Sequence, residues 1–170
     1  MIYYQYMESP IGKLLLAGDE KKLHLINFPG DGRPSLPESH WRENPKPLQA
    51  ALRQLEAYFS GKLKTFSLNL FLNVRPFQEK VLSAIQRVPY GETISYGRLA
   101  EKIGNPKAFR AVGQANAKNP IPIVIPCHRV IGSNGKLTGF GGGLSVKQAL
   151  LDLERQYRQC KNFRGTEPKK

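Results

Sequence analysis

This 170-residue sequence is short of cysteine, histidine and acid. Its two cysteines, Cys127 and Cys160, are too few for a disulfide scaffold. Three histidines, at 24, 40 and 128, and the absence of any Cys-x-x-Cys argue against a structural zinc site, and no metal or cofactor is expected. Long apolar runs are missing too: the longest, Ile121–Cys127, is far too short to span a bilayer, so no membrane role is expected. Met1–Met7 has no basic leader followed by an apolar segment. A secretory signal is therefore not expected, and the anticipated setting is a reducing, cytoplasmic one, or nuclear in a eukaryote. What is present is an ordinary globular mixture, 40% apolar and 23% charged with 16 Gly and 13 Pro, which excludes a collagen-like or wholly disordered chain. The length fits one domain or two small ones packed together.

The scarcity of acid leaves a net charge of +13, from 26 Lys/Arg against 13 Asp/Glu. The excess is uneven. Residues 1–70 hold nine basic against seven acidic side chains, whereas residues 71–170 hold seventeen against six. The second half therefore points to a polyanionic partner, nucleic acid ahead of an anionic membrane. A solvated tail accounts for part of the charge, since residues 155–170 carry six Lys/Arg against one Glu.

The first third reads as strands at Ile2–Met7, Leu14–Ala17 and Leu23–Phe28, separated by turn signals at Ser9-Pro10-Ile11-Gly12 and Gly18-Asp19. Proline-rich Gly30–Pro47 should be an irregular connection. Leu48, Leu52, Leu55 and Phe59 mark one face of a helix ending at Gly61. Phe66, Leu68, Leu70 and Leu72 alternate as in a half-buried strand. Nothing in this first unit looks chemical. After a boundary near residues 73–76 the pattern becomes helical. One stripe is Phe77, Val81, Leu82, Ile85 and Val88, and a second is Tyr96, Leu99, Ala100 and Ile103 behind an N-cap at Ser95. The third is Ala108, Ala111, Val112 and Ala115, and the last is Val146, Ala149, Leu150, Leu153 and Tyr157. The class is α+β, divided as 1–74, 75–158 and a basic tail at 159–170. Two short helices around Gly104-Asn105-Pro106 fit helix-turn-helix geometry. The second, about 107–117, turns Lys107, Arg110 and Gln114 away from its apolar stripe, as suits a DNA groove; an ordinary surface helix has the same pattern.

Prolines at 120, 122 and 126 should hold an extended, rigid backbone leading to Cys127. A thiol with an ordinary pKa near 8.5 needs a base or a positive field to become a nucleophile. His128 is adjacent in sequence, but neighbouring side chains diverge in extended chain, so a bridging water or a turn starting at Cys127 must close the gap. The competing reading is a small buried hydrophobe. Glu154 lies among Leu150, Leu151, Leu153 and Tyr157. It is either a surface carboxylate, which periodicity favours, or a buried partner that fixes the His128 tautomer. Gly139-Phe140-Gly141-Gly142-Gly143 lacks a Walker ending, and Leu144 replaces the last glycine of a dinucleotide fingerprint, which excludes a nucleotide loop. Bare backbone beside an aromatic can instead approach a nucleobase, or form a flexible surface turn.

Pro126-Cys127-His128-Arg129-Val130, with Gly104-Asn105-Pro106-Lys107 and Arg110-Ala111-Val112-Gly113, resembles the O6-alkylguanine-DNA alkyltransferases. The likeness is close over residues 76–155 and looser in the N-terminal unit, where the Ser9-Pro10-Ile11-Gly12 turn is shared. It implies a ribonuclease-H-like N-terminal domain followed by a winged-helix-like helix-turn-helix domain. It further implies Cys127 as alkyl acceptor, His128 as base through a water, and Glu154 as its orienting partner. Arg110 would be the finger that enters from the minor groove, Tyr96 the residue that crowds the lesion's phosphate, and Asn119 the hinge. Pro122, Val130, Phe140, Gly141 and Gly142 would form the base pocket. The implied activity is one irreversible alkyl transfer from guanine O6, less readily thymine O4, in double-stranded DNA, by a monomer without cofactor. Some members have Tyr-Ser where this chain has Phe140-Gly141, so donation to the base falls to backbone or Tyr96, and Gly141 should widen the pocket. Members that bind zinc use N-terminal cysteine, and none precedes Cys127 here. Cys160 is expected to be incidental. Two rivals stay open at this level. One is a lesion sensor on the same scaffold, which would lack the acceptor cysteine; the other is a cysteine hydrolase, which would turn over and leave Arg110 without a role.

Overall fold

The computed structural model describes residues 1–137, 140 and 142–164, the last six as backbone alone. Tyr-rich β1 (Tyr3–Ser9) and β2 (Gly12–Gly18) pair antiparallel from Tyr3↔Gly18 to Ser9↔Gly12. The hairpin closes because the Ser9 hydroxyl takes the Ile11 amide and donates to the Gly12 carbonyl, with Gly12 at φ +107°. β3 (Leu23–Asn27) lies antiparallel on β2, and short β4 (Arg42–Glu43) runs parallel to β1, giving the order β3-β2-β1-β4. β4 and a 3₁₀ turn at Lys46–Leu48 are the only regular pieces described in the proline-rich connection. Helix α1 (Gln49–Phe59) buries Ala51, Leu55, Tyr58 and Phe59.

The alternation at Phe66–Leu72 predicts burial correctly and pairing incorrectly. Phe66, Leu68, Leu70 and Leu72 are all half-buried. This segment touches the edge of β3 at a single bridge, where Asn69 O accepts from Leu23 N and Phe71 N donates to Leu23 O. Without a continuous partner the stretch forms no ladder.

The remaining elements are α2 (Pro76–Gln86), β5 (Ile94–Ser95), α3 (Tyr96–Lys102), α4 (Phe109–Ala117), β6 (Val130–Ile131) and α5 (Leu144–Arg164). Ser95 caps α3 as expected, accepting from Arg98 N at 3.1 Å. Proline opens α2, where its missing donor costs nothing. Several apolar stripes are narrower than predicted: Phe77, Ala111 and Ala149 are exposed. Short, gently amphipathic helices have too few turns for periodicity alone to fix the edge of the buried face. One apolar core spans both halves of the chain, from Leu14, Leu16 and Ile26 through Leu55 and Leu82 to Leu99, Val112 and Leu150. Among the described residues no helix is long and apolar enough to cross a membrane.

Candidate active site

The segment leading to Cys127 is turned rather than extended. Ile125 N donates to Ile121 O at 3.0 Å, and Ile123 sits at φ +73°, a conformation that costs a β-branched residue on the order of 1–3 kcal/mol. Asn119 holds the turn from inside: its Oδ1 accepts from Ile121 N at 3.0 Å and its Nδ2 donates to Ile125 O at 2.8 Å. The prolines at 120, 122 and 126 remove donors, but these side-chain bonds replace the missing ladder. Ile26 N in β3 donates to Pro120 O, tying the turn to the N-terminal sheet. The chain then enters a 3₁₀ turn at Cys127–Arg129, with Arg129 N on Pro126 O, in place of the extended backbone expected there.

Glu154 corrects the surface reading that periodicity favours. Its side chain is inaccessible, and its carboxylate collects donors from four residues in three parts of the chain. His128 Nε2 lies 2.7 Å from Oε1, and Tyr58 Oη of α1 donates to the same oxygen at 2.9 Å. Arg129 donates through Nη2 to Oε1 at 2.8 Å and through Nε to Oε2 at 2.9 Å. Gly91 N completes the set at 3.2 Å. Gly91 has φ +76°, a conformation that favours glycine, where its amide reaches the carboxylate. Burial pushes the Glu154 carboxyl upward, but the His128 bond and charge and then Arg129 outweigh it, holding it at about 2. Burial holds His128 below the usual imidazole range, against the pull of Glu154, so the ring is neutral at neutral pH. With Nε2–H given to Glu154, Nδ1 is the basic nitrogen; it is buried and has no hydrogen-bond partner among the described residues.

Cys127 is 4% exposed, and burial pushes its thiol up to about 11, against the Asn119 hydrogen bond, the Lys147 charge and the amides of Cys127 and His128. Lys147 is a functional candidate absent from the sequence reading. It is fully buried on α5, donates from Nζ to Val130 O at 2.6 Å and lies 5.9 Å from the Tyr96 ring centroid. A signal existed: Lys147, Leu150, Leu151 and Glu154 share one helix face, so two opposite charges ride on the apolar stripe seven residues apart. Arg129, Tyr58 and Gly91 were likewise missed as supports of Glu154.

Cys127 opens into a cavity of about 190 Å³ lined by Asn116, Asn119, Pro122 and Phe140, and by Ile26, Asn27, Phe28 and Ser35 of the N-terminal unit. That unit is therefore part of the site, contrary to the expectation that it holds nothing chemical. Of the residues expected to form a base pocket, Pro122 and Phe140 line this cavity. Val130 does not: it is fully buried behind the turn, and its carbonyl is taken by Lys147. Gly142 packs beside the cavity-lining Phe28, where a Cβ would press to 2.7 Å of the ring. Gly141 lies outside the described residues. Asn116 is 1% exposed, donates to Cys127 O at 3.4 Å and keeps a buried Oδ1 without a partner among the described residues. No group of three or more His, Cys, Asp or Glu among the described residues converges to hold a metal ion.

Of the expected nucleic-acid residues, Asn119 lines this cavity and the others lie outside it. Arg110 and Gln114 are exposed on α4, and Lys107 is exposed in the turn before it rather than on the helix. Tyr96 opens α3, half-buried, and the Cβ position of Gly113 on α4 lies 3.8 Å from its ring.

Family models for 6-O-methylguanine DNA methyltransferase match almost the whole chain. The ribonuclease-like domain matches residues 2–72 and the DNA-binding domain residues 76–156. The chain belongs to this methyltransferase family. A methylated-DNA–protein-cysteine methyltransferase of Methanosarcina acetivorans is 54% identical over 154 residues, covering 90% of this chain and 98% of that relative. The crystal structure of the Mycobacterium tuberculosis O6-methylguanine methyltransferase matches with a TM-score of 0.85 and 47% identity, over 92% of this methyltransferase and 94% of that chain. A structure of the same Mycobacterium tuberculosis protein in complex with DNA matches equally well, at TM-score 0.85 and 46% identity. The fold is thus a ribonuclease-like N-terminal domain joined to a DNA-binding C-terminal one, as the resemblance implied.

Proposed function

We propose that this protein repairs DNA by moving an alkyl group from guanine O6, and less readily thymine O4, to Cys127, once per protein molecule. The observation that carries the reading is a buried Cys127 at a cavity, followed in the same 3₁₀ turn by a buried His128 bonded to Glu154. The three elements assemble as a nucleophile, a base and a group that orients the base.

His128 Nδ1 takes the Cys127 proton through one intervening water, and Glu154 stabilises the imidazolium that forms. Lys147 adds a positive field, and the Asn119 amide a hydrogen bond, to the sulfur as it becomes thiolate. Because burial keeps the resting thiol protonated, the thiolate arises when the substrate is in place. The sulfur then attacks the alkyl carbon: the C–S bond forms, the C–O6 bond breaks, and its electron pair leaves with the purine. Tyr96 and nearby backbone supply hydrogen-bond donation to the departing base. Asn116 Oδ1 offers an acceptor to an N–H of the purine edge. A thioether is not hydrolysed, so the protein is consumed.

Guanine O6 is inside the base stack, and the nucleotide must be rotated out at a cost of a few kcal/mol. Arg110 offsets this by entering from the minor groove and stacking in the gap, while Tyr96 crowds the lesion's phosphate. Lys107 and Gln114 contact the duplex beside it, and the protein acts as a monomer. Residues 1–74 form the ribonuclease-H-like unit and 75–158 the DNA-binding and acceptor unit, while the basic stretch 159–170, whose first six residues continue α5 rather than starting a separate tail, adds charge without sequence information.

The test is stoichiometry. Duplex carrying O6-methylguanine is titrated with protein and intact guanine is counted; the expected yield is one repaired base per chain, and repair beyond the protein supplied refutes transfer to cysteine.

A further inference from the structure

Phe109 is a part of α4 that the reaction above does not use. It is the first residue of the helix, it directly precedes Arg110, and it is 49% exposed. The Arg110 guanidinium lies over its ring at 5.9 Å from the centroid. Around this pair the outward surface of α4 is small or polar, with Ala111, Gln114 and Ala117 exposed and Gly113 half-buried. At 3.6 residues per turn, Phe109 and Gly113 share one flank of the helix, and Gly113 is the position that touches Tyr96. Phe109 and Tyr96 therefore stand on the same side of Arg110, with the lone large apolar group of this face next to its cationic finger.

Resting on the reading of Arg110 as the finger, we propose that Phe109 is a second wedge on duplex DNA. With Arg110 in the gap, the Phe109 ring packs against the neighbouring nucleotide on the Tyr96 side and unstacks that step. Apolar side chains that enter the minor groove kink the duplex and open the groove. The paired cation keeps the ring oriented before contact, and a ring accepts any base face, so the wedge imposes no sequence preference.

The experiment compares wild type, Phe109→Ala, Phe109→Trp and Arg110→Ala as full chains. Each is assayed for reaction with O6-methylguanine in duplex and with O6-benzylguanine as the free base, and each is melted to confirm folding. Phe109→Ala should lower the ratio of duplex to free-base rate constant about 10-fold, within the range for losing a base-stacking aromatic. Phe109→Trp should restore it. The salt dependence of duplex binding should not change in Phe109→Ala, because the ring carries no charge. A wild-type ratio in Phe109→Ala overturns the proposal, as does an equal fall in both rates or failure of tryptophan to rescue. If the wild type itself modifies neither substrate, the alkyl-transfer reading is overturned and the wedge with it.

Discussion

Replacing Glu154 by Gln tests the support of the site through a change of one atom. The amide keeps an acceptor for His128 but turns a donor toward the Arg129 guanidinium and removes its buried counter-charge. The carboxyl is held at about 2 against an ordinary 4.5. A gap of about 2.5 pH units corresponds to on the order of 3 kcal/mol favouring the charged form in the folded state, similar to the usual cost of breaking one side of a buried ion pair. For a chain of this size that is a melting temperature lower by about 6–12 °C. The pH dependence carries the sign. A depressed carboxyl pKa contributes fully above about 4.5, and the contribution is lost as pH falls from there toward 2. Urea unfolding of wild type and Glu154→Gln should therefore differ by roughly 3 kcal/mol at pH 7, with the gap closing below pH 4.5. Equal midpoints at pH 7, or a gap that ignores acid, would refute the account of the carboxylate as a charged hub.

Three further outcomes follow from the same geometry. Arg110→Ala should slow repair in duplex about 10-fold relative to the free-base reaction, since flipping a base costs a few kcal/mol and the finger offsets part of it; parallel losses would remove its role in flipping. Lys147→Met, which deletes a buried charge while filling its volume, should move the rising limb of the Cys127 pH–rate profile to higher pH and slow the reaction at neutral pH, and an unmoved profile would contradict the field assigned to Lys147. Phe109→Ala should separate the duplex and free-base rates as argued above, with the ratio as its measure.

The local elements were legible because their signals are local. Ser95 caps α3 through its own third neighbour, and the β1–β2 hairpin is closed by Ser9 and Gly12 within four residues. Pro126-Cys127-His128-Arg129-Val130 carried the family resemblance for the same reason. The Glu154 environment was not legible, because its donors come from far away: Tyr58 is 96 residues off in sequence and Gly91 is 63. Helix periodicity sees a charged residue between leucines and cannot see the guanidinium and phenol that meet it. The contribution of Phe28 and Ser35 to the cavity was hidden similarly, since it depends on how the N-terminal sheet docks through Ile26 on the turn at Pro120. The proline-rich approach to Cys127 misled in another way. Prolines restrict backbone and remove donors, but the Asn119 side chain supplies the bonds that bend the chain around Ile123.

The most direct test is the mass of the protein after exposure to O6-methylguanine duplex, followed by peptide mapping. A gain of about 14 Da, one CH2, confined to Cys127 and absent from Cys127→Ser, is the predicted result. An unmodified chain that still binds the lesion, or one that removes methyl groups repeatedly with Cys127 unaltered, would contradict it.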